Sequence, residues 1–338
     1  MSVNKCFIIA ELSANHGGSV EIVKKTIRAA KLAGADAIKL QTYTADTITL
    51  KSKKDYFKIS EGTIWDGRYM WDLYNEAHTP WEWHGEIFRV AKEEGLECFS
   101  SPFDNSAVDY LEQFDPPYYK IASFEINDLP LISYTASKGR PMIISTGMGS
   151  EEDIQKALNA CFSLDNKNVT LLKCTSSYPS PLSAANLNSI PLLQERFNLP
   201  VGLSDHTEGF MAPVVAVSLG ATIIEKHFII DRNLGGPDAS FSMEPDEFRN
   251  MVDRVREVEL ALGEASFELP SASIKNLKFR RSLFVSKDIK KGELFTDENI
   301  KSIRPATGLA PELYAEIIGK IAKKDLEAGE PLSNSDVF

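Results

Sequence analysis

The first 265 residues repeat one pattern eight times: a short apolar run, then an amphipathic stretch of helical period. The runs are CFIIAELS (6–13), DAIKLQT (36–42), ECFSSPF (97–103), YYKIAS (118–123), PMIIST (141–146), VTLLKC (169–174), VGLSD (201–205) and TIIEKHF (222–228). Runs this short, bounded by turn residues, read as buried strands. Strand–helix alternation calls for a parallel sheet covered by helices, and eight such units close into a (β/α)8 TIM barrel. A doubly wound sheet is the competing arrangement, weakened by the lack of GxGxxG after the first run. Helix punctuation agrees with the alternation. Ser19 precedes VEIVKKTIRAAKL, which stops at Gly34; Thr79-Pro80 reads as a cap and first turn for a helix stopping at Gly95; Ser150 precedes an acidic first turn.

The pattern ends near residue 265. Residues 266–281 have little periodicity and read as a linker. Residues 282–338 hold short strand-like pieces and two similar turns, DIKKGELFT and DLEAGEPLS, about 37 residues apart. The expected organisation is a barrel over 1–265, a linker over 266–281 and a small β-rich domain over 282–338. The stretch 43–79 is a long insertion after the second strand, which a barrel would place over its active-site face.

With a net charge of −11, nucleic acid and anionic membranes are poor partners. An anionic substrate would need locally placed cations. No apolar run approaches the ~18 residues of a membrane span, and the N-terminus lacks the apolar core of a signal peptide, so a cytoplasmic protein is expected. The four cysteines, Cys6, Cys98, Cys161 and Cys174, lack zinc-site spacing and read as buried free thiols.

In a barrel, residues i and i+2 of a strand face inward together, and chemistry collects at the C-terminal strand ends. That rule selects Glu11; Lys39 and Gln41; Lys120, Ser123 and Glu125; Ser145; Thr175, Ser176 and Tyr178; Ser204 and His206; Glu225 and His227. One strand-end His is commonly structural. Two at matching places on consecutive strands point to a first-row divalent ion with open positions for substrate. Lys39 and Lys120 sit mid-strand among apolar residues, where a charge is costly. Each could pair with a local carboxylate or point outward beneath a helix. Beside Ser123, Ser145 and Ser204 they could instead hold a phosphate and a carboxylate, or one could form a Schiff base as in aldolases. Glu11, the only acidic residue of its strand, is either an ion-pair partner or a catalytic carboxylate. Asn15 and His16 could be turn residues of a Gly-containing loop, and Lys173 has the parity opposite to the inward set.

IIAELSANHGGS, GADAIKLQTY, CFSSPF, YKIASFE, IISTGM, KCTSSYP, GLSDHT, IEKHF and GGPDASFSM, in that order, resemble the sialic acid synthase family. SLFVSKDIKKGE and IRPATGL resemble the antifreeze-like (SAF) domain that ends such synthases. AELSANH, the insertion GTIWDGRYMWDLYNEAHTPWEWH and KIASFE side with the pseudaminic acid branch rather than the N-acetylneuraminate branch. The resemblance implies metal-dependent condensation of phosphoenolpyruvate with an N-acetylated 6-deoxy aldose, here 2,4-diacetamido-2,4,6-trideoxy-altrose, by C–O cleavage to a nonulosonic acid and phosphate. It implies His206 and His227 as metal ligands, for Mn2+ with Co2+ or Mg2+ as alternatives, and Glu11 as the essential carboxylate. It implies phosphoenolpyruvate contacts from Lys39, Lys120, Ser123, Ser145 and Ser204, with Ser176 where the family often has Asn. It implies sugar contacts from Gln41, Glu125, Tyr178 and Asp238, and from Arg304 reaching a partner subunit's site in a domain-swapped homodimer. The alternatives are an N-acetylneuraminate or legionaminic acid synthase, a Schiff-base aldolase, and a non-catalytic sugar- or ice-binding protein. The charged KDIKKGE surface lacks the regular Thr array that ice binding wants.

Overall fold

The computed structural model describes residues 5–60 and 62–337. Two compact units divide the chain, Met1–Gly263 and Glu264–Phe338. In the first, the eight apolar runs form β1 (Phe7–Glu11), β2 (Ala37–Thr42), β3 (Glu97–Pro102), β4 (Tyr119–Ile121), β5 (Met142–Ser145), β6 (Val169–Cys174), β7 (Val201–Asp205) and β8 (Ile223–His227). Each pairs in parallel with the next, and β8 pairs with β1, so the sheet closes into a barrel and leaves no edge. The helices Val20–Leu32, His84–Glu93, Asn105–Leu111, Leu129–Ala136, Glu151–Phe162, Ser189–Phe197, Met211–Ser218 and Pro245–Leu262 follow the eight strands in turn.

Strand parity builds two cores. Outward residues such as Ile8, Ile38, Ile121, Ile144, Leu171, Leu203 and Ile224 pack against the helices. Inward residues Ile9, Ala37, Phe99, Ile143, Leu172 and Ile223 form a separate apolar floor inside the barrel, with Phe7 and Tyr118 against it. The interior is thus filled from below, which leaves the C-terminal end for other chemistry.

Helix starts follow local chemistry. Ser150 and Asp153 form a reciprocal capping box. Ser19 sits at its helix N-cap with extended backbone, without a side-chain cap bond. Thr79-Pro80 does not cap the next α-helix. Pro80 leads into a 3-10 turn, Trp81–Trp83, and the α-helix begins at His84. The turn is fixed by tertiary contacts: Trp81 stacks on Tyr110 at 4.7 Å and donates from Nε1 to the Tyr43 carbonyl. All four cysteines are buried and free. Among the described residues no helix is long and apolar enough to cross a membrane.

The second unit pairs β9 (Ser282–Val285) with β10 (Ile300–Ile303) in antiparallel fashion. The two similar turns meet: Ile289 and Leu326, at equivalent places, exchange backbone hydrogen bonds of 2.9 and 2.8 Å. Gly292 and Gly329 complete them at φ of 94° and 96°, a region a Cβ disfavours. Leu283, Val285, Ile289, Phe295, Ile300, Leu326 and Leu332 form the small core.

Candidate active site

Two residues beyond the apolar floor, along the same strands, stand Glu11, Lys39, Ser101, Ser145, Cys174 and Glu225, all buried. Strand register places Glu11 beside both Lys39 and His227, and Ser204 beside Glu225. Lys39 Nζ lies 2.5 Å from Glu11 Oε2 and 3.8 Å from Glu225 Oε1. Lys120 donates to both oxygens of Glu225, at 2.8 and 3.0 Å, and Ser204 Oγ donates to Oε1 at 2.9 Å. Both lysines therefore point inward and pair with carboxylates of the same mouth. Glu225, which sequence parity put at the barrel end without a role, is the counter-ion that joins them. Lys173 turns away, donating to the Cys174 carbonyl at 2.7 Å.

The two carboxylates share the site but not its electrostatics. Burial alone would raise Glu225, but Lys120 and Lys39 outweigh it and hold the carboxyl at about 2. Burial raises Glu11, and Lys39 does not offset it; the Glu225 charge adds to the rise. Lys39 is the close partner of Glu11 Oε2, while Oε1 is buried without a hydrogen-bond partner. Burial lowers Lys120, while Lys39 is drawn up, against burial, by Glu11 and Glu225.

The hydroxyls converge on one spot. A Cβ at Gly147 would lie 2.5 Å from Ser176 Oγ, 2.8 Å from Ser123 Oγ and 3.1 Å from Cys174 Sγ. Only glycine lets the backbone approach there, and its N–H donates to Ser123 Oγ at 3.2 Å. Ser145 Oγ is buried without a partner, free to bond a bound anion.

His206 and His227 face each other at the rim, ring centroids 5.3 Å apart. His206 Nδ1 lies 3.0 Å from the Thr175 carbonyl, so that nitrogen carries a proton, and Cys174 with this carbonyl draws the imidazole upward against its burial. His227 Nδ1 is buried without a hydrogen-bond partner, 3.8 Å from Asp238. Burial pushes His227 well below its ordinary value, and His206 and the lysines add to that, so its imidazole is neutral. Two facing imidazoles, one held through Nδ1 by a backbone carbonyl and one with an orphaned nitrogen, fit a divalent ion. Among the described residues no group of three or more His, Cys, Asp or Glu forms a metal-holding cluster.

Tyr178 lies over the pair, 4.3 Å from His206 and 6.3 Å from His227 between ring centroids. Asp238 is buried and raised by that burial; it accepts hydrogen bonds from Ser13 Oγ and the Ala14 N–H. Glu125 has a buried oxygen without a partner and is pushed by burial to about 7. Gln41 sits two residues beyond Lys39 with the same inward parity. The insertion contributes Trp65, which packs on Tyr178 at 5.6 Å and donates to the Pro237 carbonyl at 2.9 Å. Sequence gave no reason to choose this Trp within 43–79. Asn15 and His16 are structural: Asn15 donates to the Phe228 carbonyl and Ser242, and His16 accepts from the Gly18 N–H. Arg304 belongs to the second unit, where it lines a cavity of about 460 Å3 with Arg280, Arg281 and Asn276.

Residues 26–267 match the NeuB family and residues 280–337 the SAF domain. The chain belongs to the NeuB family. It is 52% identical over 332 residues, 98% of this chain and 96% of the relative, to a pseudaminic acid synthase of Campylobacter jejuni. Identity to an N,N'-diacetyllegionaminic acid synthase of the same species is 36% over 332 residues, 97% of this chain and 99% of the relative. Among solved structures, the N-acetylneuraminic acid synthetase of Leptospira borgpetersenii, in complex with citrate, superposes with a TM-score of 0.73 at 30% identity, covering 82% of this chain and 92% of that one. A (β/α)8 barrel followed by a SAF domain is therefore the architecture of a NeuB-family condensing enzyme here.

Proposed function

We propose that the chain joins phosphoenolpyruvate to the open-chain aldehyde of 2,4-diacetamido-2,4,6-trideoxy-β-L-altropyranose, giving pseudaminic acid and inorganic phosphate. The observation that carries this reading is the dry layer of two lysines, two carboxylates and two imidazoles at the mouth, in a chain nearer in identity to a pseudaminic acid synthase than to a legionaminic one.

Lys39 and Lys120 hold the phosphate and carboxylate of phosphoenolpyruvate, with Ser123, Ser145, Ser176 and Ser204 completing the hydrogen bonds. Both ammoniums start paired, so the anion enters by sharing them with Glu11 and Glu225 rather than by meeting bare charge. Gln41, Glu125, Tyr178 and Asp238 orient the sugar, which makes the encounter effectively unimolecular. His206 and His227 would hold a divalent ion, Mn2+ foremost, which supplies Lewis acidity toward the aldehyde. C3 of the enol ester bonds to the aldehyde carbon as the C2–C3 π bond opens and leaves C2 cationic; the alkoxide so formed takes up one proton, matched by the one the water gives up. Water adds at C2 and yields one proton to the Glu11 carboxylate, whose raised basicity suits that role. The C2–O bond to phosphate then breaks as the C2 hydroxyl becomes the keto group, its proton leaving with the phosphate. Lys39 and Lys120 favour departure of the anion.

We assign 1–265 to catalysis, 266–281 to a linker and 282–338 to the SAF module, with support from the matched spans. Arg304 is assigned to the sugar of a second copy, in a domain-swapped homodimer.

Phosphate release should be assayed with the altro-diacetamido sugar, N-acetylmannosamine and the 4-acetamido-6-deoxy analogue of N-acetylmannosamine. The altro sugar is expected to exceed the others in kcat/KM by about a hundredfold or more. Equal turnover, or preference for either rival, overturns the assignment. Chelation is expected to abolish release and Mn2+ to restore it.

A further inference from the structure

The mechanism above leaves one buried pair of charges unused. Asp205 and Lys226 are cross-strand register partners on β7 and β8. They have the parity opposite to Ser204 and Glu225, so they point out of the barrel, into the layer under the helices. Both are nearly solvent-free, at 3% and 1% exposure. Lys226 Nζ donates to Asp205 Oδ2 and to the Thr207 carbonyl, the latter at 2.5 Å. Asp205 in turn accepts from the Thr207 N–H at 3.0 Å and from Thr207 Oγ1 at 3.1 Å.

These bonds bracket the two rim imidazoles. Asp205 and Thr207 are the chain neighbours of His206, and Lys226 precedes His227. One ammonium therefore ties both flanks of the first ring to the strand that carries the second. The turn is anchored further by the Ser180 N–H, which donates to the His206 carbonyl at 2.8 Å. A pair of apolar residues in this layer would hold the helices at least as well, because a buried ion pair is a weak contributor to stability. Its directional bonds fix something that packing alone does not: the offset between residues 206 and 227.

We propose that Lys226 and Asp205 are positioning residues that set the separation and orientation of His206 and His227 for a shared divalent ion. They do so from the far side of the sheet, without touching the ion or the substrates. This rests on the reading of the two imidazoles as metal ligands given above.

The test is direct Mn2+ titration of the purified full-length protein, followed by the EPR signal of free Mn2+, well below the melting temperature. Wild type, Lys226→Met, Lys226→Arg, Asp205→Asn and Thr207→Val are compared, with thermal melts and the KM for phosphoenolpyruvate alongside. Lys226→Met and Asp205→Asn are expected to weaken Mn2+ by about 10- to 100-fold, as loss of outer-shell support does. Lys226→Arg is expected to recover most of that loss. The KM for phosphoenolpyruvate is expected to stay within about threefold, since Lys39 and Lys120 stand on other strands and Ser204 and Glu225, though next to the pair in sequence, face the opposite side of the sheet. Thr207→Val keeps the ion pair and the backbone bonds, and should change Mn2+ affinity by less than about threefold. If Lys226→Met does not fold, Asp205→Asn, which keeps shape and loses only charge, decides. Wild-type Mn2+ affinity in variants with a lowered melting point would make the pair purely structural and overturn the proposal. Failure of the wild type itself to bind Mn2+ would instead remove the metal reading, and this inference with it.

Discussion

At the floor of the barrel stand Ile9, Ala37, Phe99, Ile143, Leu172 and Ile223; two residues further along the same strands stand Glu11, Lys39, Ser101, Ser145, Cys174 and Glu225. Both layers are dry, and both are fixed by the same hydrogen-bonded register. They differ only in what the side chains do with the missing water. The floor gains stability from it, because apolar area leaves solvent. The mouth loses stability to it, because ionised groups leave solvent and regain only part of their solvation from one another. The difference shows where selection for stability ends and selection for chemistry begins: at one pleat of the sheet.

The comparison is broken most severely by changing one group in the mouth. Glu11→Gln is expected to lower kcat by about 10^3-fold or more, while the melting temperature moves only a few degrees and phosphoenolpyruvate still binds by calorimetry. The floor should respond in the opposite manner. Phe99→Ala removes a fully buried ring and is expected to cost about 3–5 kcal/mol in denaturant unfolding, with kcat of the folded protein within about fivefold of wild type. Gly147→Ala is intermediate. Its methyl would crowd Ser123 and Ser176, so the KM for phosphoenolpyruvate is expected to rise about tenfold, equivalent to ~1.4 kcal/mol, with a smaller change in stability.

The smallest effects are on pH dependence, and they sharpen the contrast within the mouth itself. Glu225 is depressed from an ordinary value of 4.5 to about 2, so its stabilising contribution is full above 4.5 and is lost as pH falls through about 2. Glu125 is raised from 4.5 to about 7, so its contribution is full below 4.5 and is lost as pH rises through about 7. In denaturant titrations across pH, Glu225→Gln is expected to flatten the acid limb, and Glu125→Gln the limb between 4.5 and 7.

Much of this contrast was legible in the letters. Short apolar runs alternating with amphipathic stretches fix the barrel, and the period of two along each run separates floor from mouth. The same parity brings Glu11, Lys39, Lys120, Ser145, Ser204, His206 and His227 to one end. What parity cannot give is distance across the barrel. Lys120 and Glu225 are 105 residues apart, and nothing in YYKIAS or IIEKHF says that they touch. Nor does it tell that Lys226 and Asp205 form a pair outside the sheet, since each looks like a polar interruption of an apolar run. The helix start at His84 was missed for a related reason: Thr79-Pro80 has good cap chemistry, and the stacking of Trp81 on Tyr110 overrides it. Trp65 was invisible because its role comes from where a loop lands.

The most direct test is a crystal structure of the protein with phosphoenolpyruvate and Mn2+. The account expects the enol ester within hydrogen-bonding distance of both Lys39 and Lys120 Nζ, above the apolar floor, with the ion on His206 and His227. An ester bound elsewhere, with both ammoniums still held only by Glu11 and Glu225, would contradict it.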